Sequence, residues 1–378
     1  MEHKKLCTVF LSRELVAKRR EHGDDAVEVG HSNLVVGHIF EDQGRYEEAE
    51  RSFLEAARIY LLVADQERNV AAALHNLGGV YQKQGKYVVA LQMLKDSLRI
   101  VRRVYGDDHE KVADCLNSIG GVCVWMGSSE EAAEKHEEAL RIYRATHHNE
   151  HEKVAMVLGN LGIIYDQTGM PDKAMENYSE ALRIARNTLG NHYQNVAKIL
   201  INVSILLAKD GRLDEALRNL EEALPILRRV HGEKSPQAAN ALSLVGDVYV
   251  RQGKLDESLK VHEKALKYRR RALGDGHKDV ATSINDIARI LMERNEFDHA
   301  LVRLKEAEGT LRRALGDQHA SLAATCNSMV VCKEKLGDLG GALESAREVH
   351  RIASKLGAAH AGKEQYAAAV VQRLERTV

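Results

Sequence analysis

Residues 77–109 read LGGVYQKQGKYVVALQMLKDSLRIVRRVYGDDH. The stretch passes from the end of one helical pattern through a polar, Gly-centred turn into an apolar helix. A pair of arginines and then Gly-Asp-Asp-His follow. This skeleton recurs along the chain. Aligned on the turn Gly, it gives Gly44, Gly85, Gly127, Gly169, Gly211, Gly253, Asn295 and Gly337, spaced 41 residues once and 42 six times. Five residues beyond each stand Ala49, Ala90, Ala132, Ala174, Ala216, Ser258, Ala300 and Ala342. Seven residues before stand Gly37, Gly78, Gly120, Gly162, Ser204, Gly246, Ala288 and Val330. Twelve beyond stand Ala56, Ser97, Ala139, Ala181, Ala223, Ala265, Ala307 and Val349.

Small residues at three fixed places mark three close approaches of helix axes, because larger side chains would hold the helices apart. Between them the apolar period is helical. Leu77, Val80 and Tyr81 share one face, and Ala90, Leu91, Leu94 and Leu98 share another. Each repeat is therefore a helix, a turn and a second helix, with the Gly supplying a positive φ at the first helix's end. Acidic residues crowd the first turn of the second helix, as in GRYEEAE, GRLDEAL and GKLDESL, and Ser128 to Glu131 has the form of a capping box. The far end is basic: Arg102-Arg103, Arg228-Arg229, Arg269-Arg270-Arg271 and Arg312-Arg313. Both placements complement the helix macrodipole, so the arginine pairs have a structural explanation before any phosphate ligand is invoked.

Composition agrees. Aromatics make up 4%, charged residues 29%, and Pro occurs 3 times, a profile suited to Ala/Leu-built helices. A net charge of −1 provides no global basic field for nucleic acid or anionic lipid. No apolar run is long enough to insert into a membrane. The five cysteines, Cys7, Cys115, Cys123, Cys326 and Cys332, are odd in number and contain no C-x-x-C. They read as free, mostly buried thiols of a reducing compartment, and the expected location is cytoplasmic.

The pattern resembles the tetratricopeptide repeat. HNLGGVYQKQGKYVVA at 75–90 carries that family's Leu-Gly, Tyr, Gly and Ala at the expected intervals. The family's usual unit is shorter, at about 34 residues. The extra residues, with Leu-Gly-Asp-x-His-x-x-Val-Ala at the junction, resemble the kinesin-light-chain subclass, best seen in RRALGDGHKDVATSIND at 270–286 and RRVYGDDHEKVADCLNS at 102–118. The long heptad segment by which a kinesin light chain joins its heavy chain is not found here, so a motor-subunit role is not expected.

The resemblance implies an all-α fold: a right-handed α-solenoid, or superhelix, of about eight tetratricopeptide-type helix hairpins over residues 26–360. A half-repeat helix is expected at each end, over 1–25 and 361–378. The basic N-terminus, MEHKKLCTVFLSRELVAKRR, has some character of a mitochondrial presequence. The repeat register accounts for it differently, placing Cys7 at a small-residue position and Leu11 and Leu15 on an apolar face. At the other end, Gln365, Gln372, Arg373 and Arg376 supply the polar exterior of a cap.

In such a stack the first helices line the inner side, and their inward residues meet whatever the groove holds. Repeats 2 to 8 each place an Asn there: Asn76, Asn117, Asn160, Asn202, Asn240, Asn285 and Asn327. Asn is a mediocre helix former, so its recurrence calls for a reason. Each carboxamide either holds the backbone of an extended peptide or bonds a neighbouring repeat. Lys83, Lys198, Lys209, Arg251, Arg289 and Lys335 join the same face, with Asp247, Asp286, Glu293 and Glu334 diluting the charge towards the C-terminus. Gly79 and Gly121 stand one turn after Asn76 and Asn117, leaving either a hollow or a tighter helix contact. Trp125, the single tryptophan, lies one turn further on, as an anchor platform or as core.

Catalytic patterns fail. His-Glu occurs at 109–110, 136–137, 151–152 and 262–263, but the second His a zincin needs four residues on is replaced by Ala113, Leu140, Ala155 and Leu266. QGKY at 84–87 lacks the Ser/Thr and the Gly spacing of a P-loop. His147, His148 and His151 lie in an inter-repeat loop, and no metal or cofactor is expected. The expected function is that of a non-enzymatic scaffold or adaptor. Its groove would bind a short extended segment of a partner protein, acidic or mixed, with one bulky anchor, in the face of repeats 2–4. A structural subunit held by its outer face and ends, or the sensor array of a signalling protein, are the alternatives.

Overall fold

The computed structural model describes residues 15–190, 194–356 and 361–377. Two compact units divide the chain, residues 1–191 and 192–378. The first unit begins with α1, helical over residues 15–22. It continues with the hairpins α2 (Val27–Asp42)/α3 (Tyr46–Leu62), α4 (Glu67–Lys83)/α5 (Tyr87–Tyr105), α6 (Glu110–Trp125)/α7 (Ser129–His147) and α8 (Glu152–Gln167)/α9 (Pro171–Leu189). The second repeats the plan with α10 (Gln194–Lys209)/α11 (Leu213–His231), α12 (Pro236–Arg251)/α13 (Leu255–Leu273), α14 (Lys278–Glu293)/α15 (Phe297–Leu315) and α16 (Ala320–Lys335)/α17 (Leu339–Lys355). Helix α18 (Ala361–Glu375) then packs on α17 through Val370 and Leu374. Its Gln365, Gln372, Arg373 and Arg376 are exposed, as a cap requires. Of the N-terminal half-repeat, Leu15 is half-buried, whereas Cys7 and Leu11 lie outside the described residues.

The repeat explains the hairpin. The turn glycines all take positive φ, from 74° at Gly44 to 82° at Gly211, and Asn295 does the same at 62°. The small residue seven before the turn receives a knob from the second helix. A Cβ on Gly37 would collide with the Phe53 ring, one on Gly78 with Leu94, and one on Gly162 with Tyr178. At Gly120 and Gly246 the knob is histidine, His136 and His262. In the last hairpin the sizes are exchanged: Val330 faces Ala346, both buried.

Two further devices lie in the linkers. His109, His151, His277 and His319 are N-caps whose Nδ1 accepts the backbone N–H two residues on, at 3.1–3.2 Å. Ser235 does this for α12, its Oγ accepting from the Ala238 N–H. The arginine pairs form a rail between successive second helices. Arg102 bonds Glu138 at 2.6 Å, Arg144 bonds Glu180 at 3.0 Å, and Arg312 bonds Glu348 at 2.7 Å, with Arg270 bonding Glu306 alike. Their role is thus repeat-to-repeat pairing as well as dipole complementarity. One local expectation fails: Ser128 makes no side-chain cap hydrogen bond, so the capping box at 128–131 does not form. Cys115, Cys123, Cys326 and Cys332 are free and buried.

Candidate functional site

In the first unit, the first helices α4 and α6 each present one polar stripe at helical spacing. On α4 it holds Arg68, Ala72, His75, Asn76, Gly79 and Lys83; on α6 it holds Lys111, Asp114, Ser118, Gly121 and Trp125. The apolar stripes of the same helices are consumed by the hairpin cores, so these faces are left for solvent or a ligand. Between their N-terminal halves lies a cavity of about 530 Å³. Its floor is Val101 and Tyr105 of α5 and Tyr143 of α7, with Met156 of α8 at one side. Asn76 and Asn117 line it, as do Arg68 and Lys111.

The polar wall of this cavity has a determined proton pattern. Ser118 Oγ donates to the Asp114 carbonyl at 3.0 Å, so it accepts from His75 Nε2 at 3.3 Å. His75 Nδ1 is then the acceptor facing Cys115 Sγ, 3.6 Å away. Ser97 spends its proton on the Ala71 carbonyl at 2.8 Å. Burial holds His75 below its ordinary value and pushes the Cys115 thiol up to about 11. The pair is therefore a neutral imidazole and a protonated thiol, a hydrogen-bonded wall with no thiolate at neutral pH. Burial would raise the Asp114 carboxyl, but bonds from Lys153 and Tyr143, both 2.8 Å, hold it below the usual range. Lys111 also pairs with Asp114, at 3.6 Å, so one carboxylate is shared between two lysines, and with the exposed Arg68 the rim is left basic. The Arg68 guanidinium lies over the Tyr105 ring, 5.2 Å from its centroid.

Beyond the cavity the stripe opens. A Cβ on Gly79 would meet only Glu41 Oε1, at 3.9 Å, and one on Gly121 only Gln82 Nε2, at 3.6 Å. Neither glycine serves tighter helix packing; both leave a hollow. Trp125 is 66% exposed and stacks on Tyr87, with centroids 6.1 Å apart and planes 6° off parallel, so it is not core. Lys83 is paired to Glu41 at 2.8 Å.

The carboxamide ladder is not one ladder. Asn76, Asn160 and Asn202 stand two residues before the packing Gly or Ser, Asn117, Asn285 and Asn327 three before, and Asn240 six before. Several bond neighbouring repeats. Asn76 Nδ2 lies 3.2 Å from His38 Nε2, Asn160 Nδ2 donates to Asn117 Oδ1 at 3.1 Å, and Asn285 Nδ2 donates to Thr325 Oγ1 at 2.9 Å. Asn240 Oδ1 accepts from Arg269 at 2.7 Å. Repeat-to-repeat bonding is thus one use of these side chains, and Asn76 and Asn117 combine it with a place on the cavity wall.

The second unit has its own cavity, of about 320 Å³, across α10, α12 and α14. It gathers Lys209, Arg251 and Arg289 around Asp247 over an apolar base that includes Ile205, Leu220 and Val248. Arg289 bonds Asp247 at 2.9 Å, and Arg251 donates to the Ala208 carbonyl at 2.7 Å, closing the end of α10. Lys198 is exposed and Asn202 half-buried on α10, outside this lining, and Asn285 is likewise outside it. Sequence reading missed Arg68, His75, Lys111, Asp114, Cys115 and Ser118. Running the α4 and α6 stripes back from Gly79 and Gly121 would have found all of them but Cys115.

Paired helices, glycine-pinned turns and side-by-side first helices define a helical-repeat protein of the protein-binding kind. The match to the tetratricopeptide repeat family extends over residues 34–67, 69–145, 116–187, 195–257 and 238–312, more than half of the sequence. The chain belongs to that family. Among solved structures it is similar to the apo quorum sensor NprR from B. thuringiensis, at 13% identity over 93% of this chain and 97% of that one, TM-score 0.66. It is similar to apo RapI at 17% identity, 75% and 98% coverage and TM-score 0.58. It is also similar to BtubC (BKLC) from P. vanneervenii at 23% identity, 61% and 91% coverage and TM-score 0.52. At these identities the likeness is one of fold. No curated protein matches the sequence. Among the described residues no helix is long and apolar enough to cross a membrane.

Proposed function

We propose that the protein is a non-enzymatic scaffold that binds a short extended segment of a partner protein along the α4–α6 face of its first unit. The observation that carries this reading is the conjunction on one face of a 530 Å³ cavity, two open glycines and an exposed Trp125. The cavity takes one bulky side chain, and Asn76 and Asn117 retain amide capacity for the segment's backbone. Gly79 and Gly121 let that backbone approach closely, while Arg68 and Lys111 favour acidic neighbours. The 42-residue spacing and the histidine-capped Gly-Asp-x-His junction support placing the chain in the kinesin-light-chain-like subclass of its family.

The test is a titration of fluorescent acidic peptides, each with one Leu or Trp, against the full chain. Asn117→Ala and Lys111→Glu should each weaken binding by about tenfold or more, as loss of a hydrogen bond to a charged or buried group does. Peptide binding that neither variant alters would move the site elsewhere, and no binding by a broad library would favour the structural-subunit reading.

A further inference from the structure

Of the knobs that fill the hairpins, two are basic, both of them histidines. His136 lies on Gly120, where a Cβ would stand 2.7 Å from its Nε2, and His262 lies on Gly246 in the same way. The two residues are 1% and 0% exposed. His136 Nδ1 and both ring nitrogens of His262 have no hydrogen-bond partner. An aromatic or aliphatic knob serves the same place elsewhere, so shape does not require imidazole. What imidazole adds is a proton site in a space closed to water.

We propose that His136 and His262 are acid-operated latches: protonation of either forces its helix hairpin apart and dismantles the ligand-facing side of its own unit. A buried imidazolium whose ring nitrogens lack hydrogen bonds is far more costly than a buried neutral ring, so protonation favours the opened hairpin over the closed one. The groups facing each ring differ. No charged side chain of α5, α6, α7 or α8 acts on His136, which burial alone holds down to about 4. His262 is also lowered to about 4, mainly by burial. Asp247 of α12, 3.7 Å away, works against this, and Arg289 of α14 and Arg269 of its own helix add to it. The folded values lie below the ordinary 6.5, so the neutral ring's contribution is complete above that pH. It is lost as pH falls from 6.5 towards 4. The mechanical coupling is short. Gly120 lies on α6 between the cavity residues Cys115 and Ser118 and the open Gly121. Gly246 precedes Asp247, which lines the second cavity.

Hydrogen exchange of the ligand-free chain, stepped from pH 7 to pH 4 and corrected for intrinsic rates, tests this independently of any peptide. Amides of α6/α7 and α12/α13 should lose protection on that descent. His136→Phe should move the loss in the first unit down by about one pH unit, leaving the second unit unchanged, and His262→Phe should do the reverse. His299→Gln, at an exposed site, should change neither. Should a variant fail to fold at pH 7, the wild-type imidazole resonances decide: His136 and His262 should titrate below pH 5, together with the loss of protection. Titration near 6.5 with protection intact, or variants that follow the wild-type curve, would overturn the proposal.

Discussion

The exchange of sizes between Gly78/Leu94 and Val330/Ala346 invites a direct transplant. A Cβ on Gly78 would stand 2.5 Å from Leu94 Cγ and 2.7 Å from its Cδ2, so Gly78→Val alone is a collision in a side chain that is fully buried. Overpacking of this kind costs about 1–3 kcal/mol, slightly offset because Val forms helix better than Gly. Leu94→Ala alone removes the knob and leaves a cavity at about 2–5 kcal/mol. The double variant recreates the Val330, Ala342 and Ala346 arrangement, since Ala90 already occupies the position of Ala342. It should therefore recover about 2 kcal/mol or more of the summed loss, a coupling typical of residues in contact. Repeat arrays need not unfold in one step, so the assay is hydrogen exchange of the α4 and α5 amides alongside urea unfolding. Additivity of the two singles to within about 0.5 kcal/mol would refute the knob-and-hole account.

Three further outcomes follow from the linkers and the rail. His109→Ala should cost about 1 kcal/mol by urea unfolding, through loss of the Lys111 N–H acceptor, and His109→Ser should recover most of it because Ser235 performs the same task. The rail lapses after α11: the position 36 residues after Arg228 holds Lys264, and Arg228 pairs with Glu233 at 3.3 Å. Lys264→Glu should add roughly 0.5 kcal/mol at low salt and lose that gain at about 1 M salt, both read from urea midpoints; no gain would mean the rail contributes nothing measurable. Glu348 is held down to about 2 by the Arg351 hydrogen bond and, second to it, that of Arg312, against the opposing effect of burial. Its folded value lies below the ordinary 4.5, so its contribution is present above that pH and lost on descent towards 2. Glu348→Gln should thus lower the melting temperature at pH 7 and leave it unchanged near pH 2.

The fold was legible because it depends on period. Gly44 through Gly337 specify the turns, Gly37 through Gly246 the knob holes, and both recur at a spacing that no single residue could announce. The site was only partly legible for the same reason. A column of asparagines looked like one functional ladder, but what each carboxamide meets is set by the side chain opposite it and not by its register, since Asn117 and Asn285 share a register and Asn76 stands one residue off it. Asn76 and Asn117 reach the cavity, whereas Asn285 bonds Thr325 in the next repeat. Gly79 and Gly121 were ambiguous for want of the opposing atoms, which decide between packing and hollow. The His136 and His262 knobs were read only as parts of His-Glu pairs, because burial is a property of the packed hairpin.

Internal comparison sharpens the distinction between what builds the array and what the array presents. The column containing Gly78 and Gly120 stays small through Ala288, because every hairpin needs the same close approach. The column one residue later reads His38, Gly79, Gly121, Ile163, Ile205, Asp247, Arg289 and Val331, with no common size, charge or polarity. The hairpin knobs do not act on it, and it is the column that opens onto the α4–α6 hollow in one unit and supplies Ile205, Asp247 and Arg289 to the cavity of the other. Trp125 belongs to a similar column, among Lys83, Gln167, Lys209, Arg251, Glu293 and Lys335. A bulky aromatic there breaks a run of long polar side chains, and it does so at the mouth of the one hollow made by two adjacent glycines. Columns fixed by the period describe how the protein stands; those released from it describe what each unit is shaped to hold.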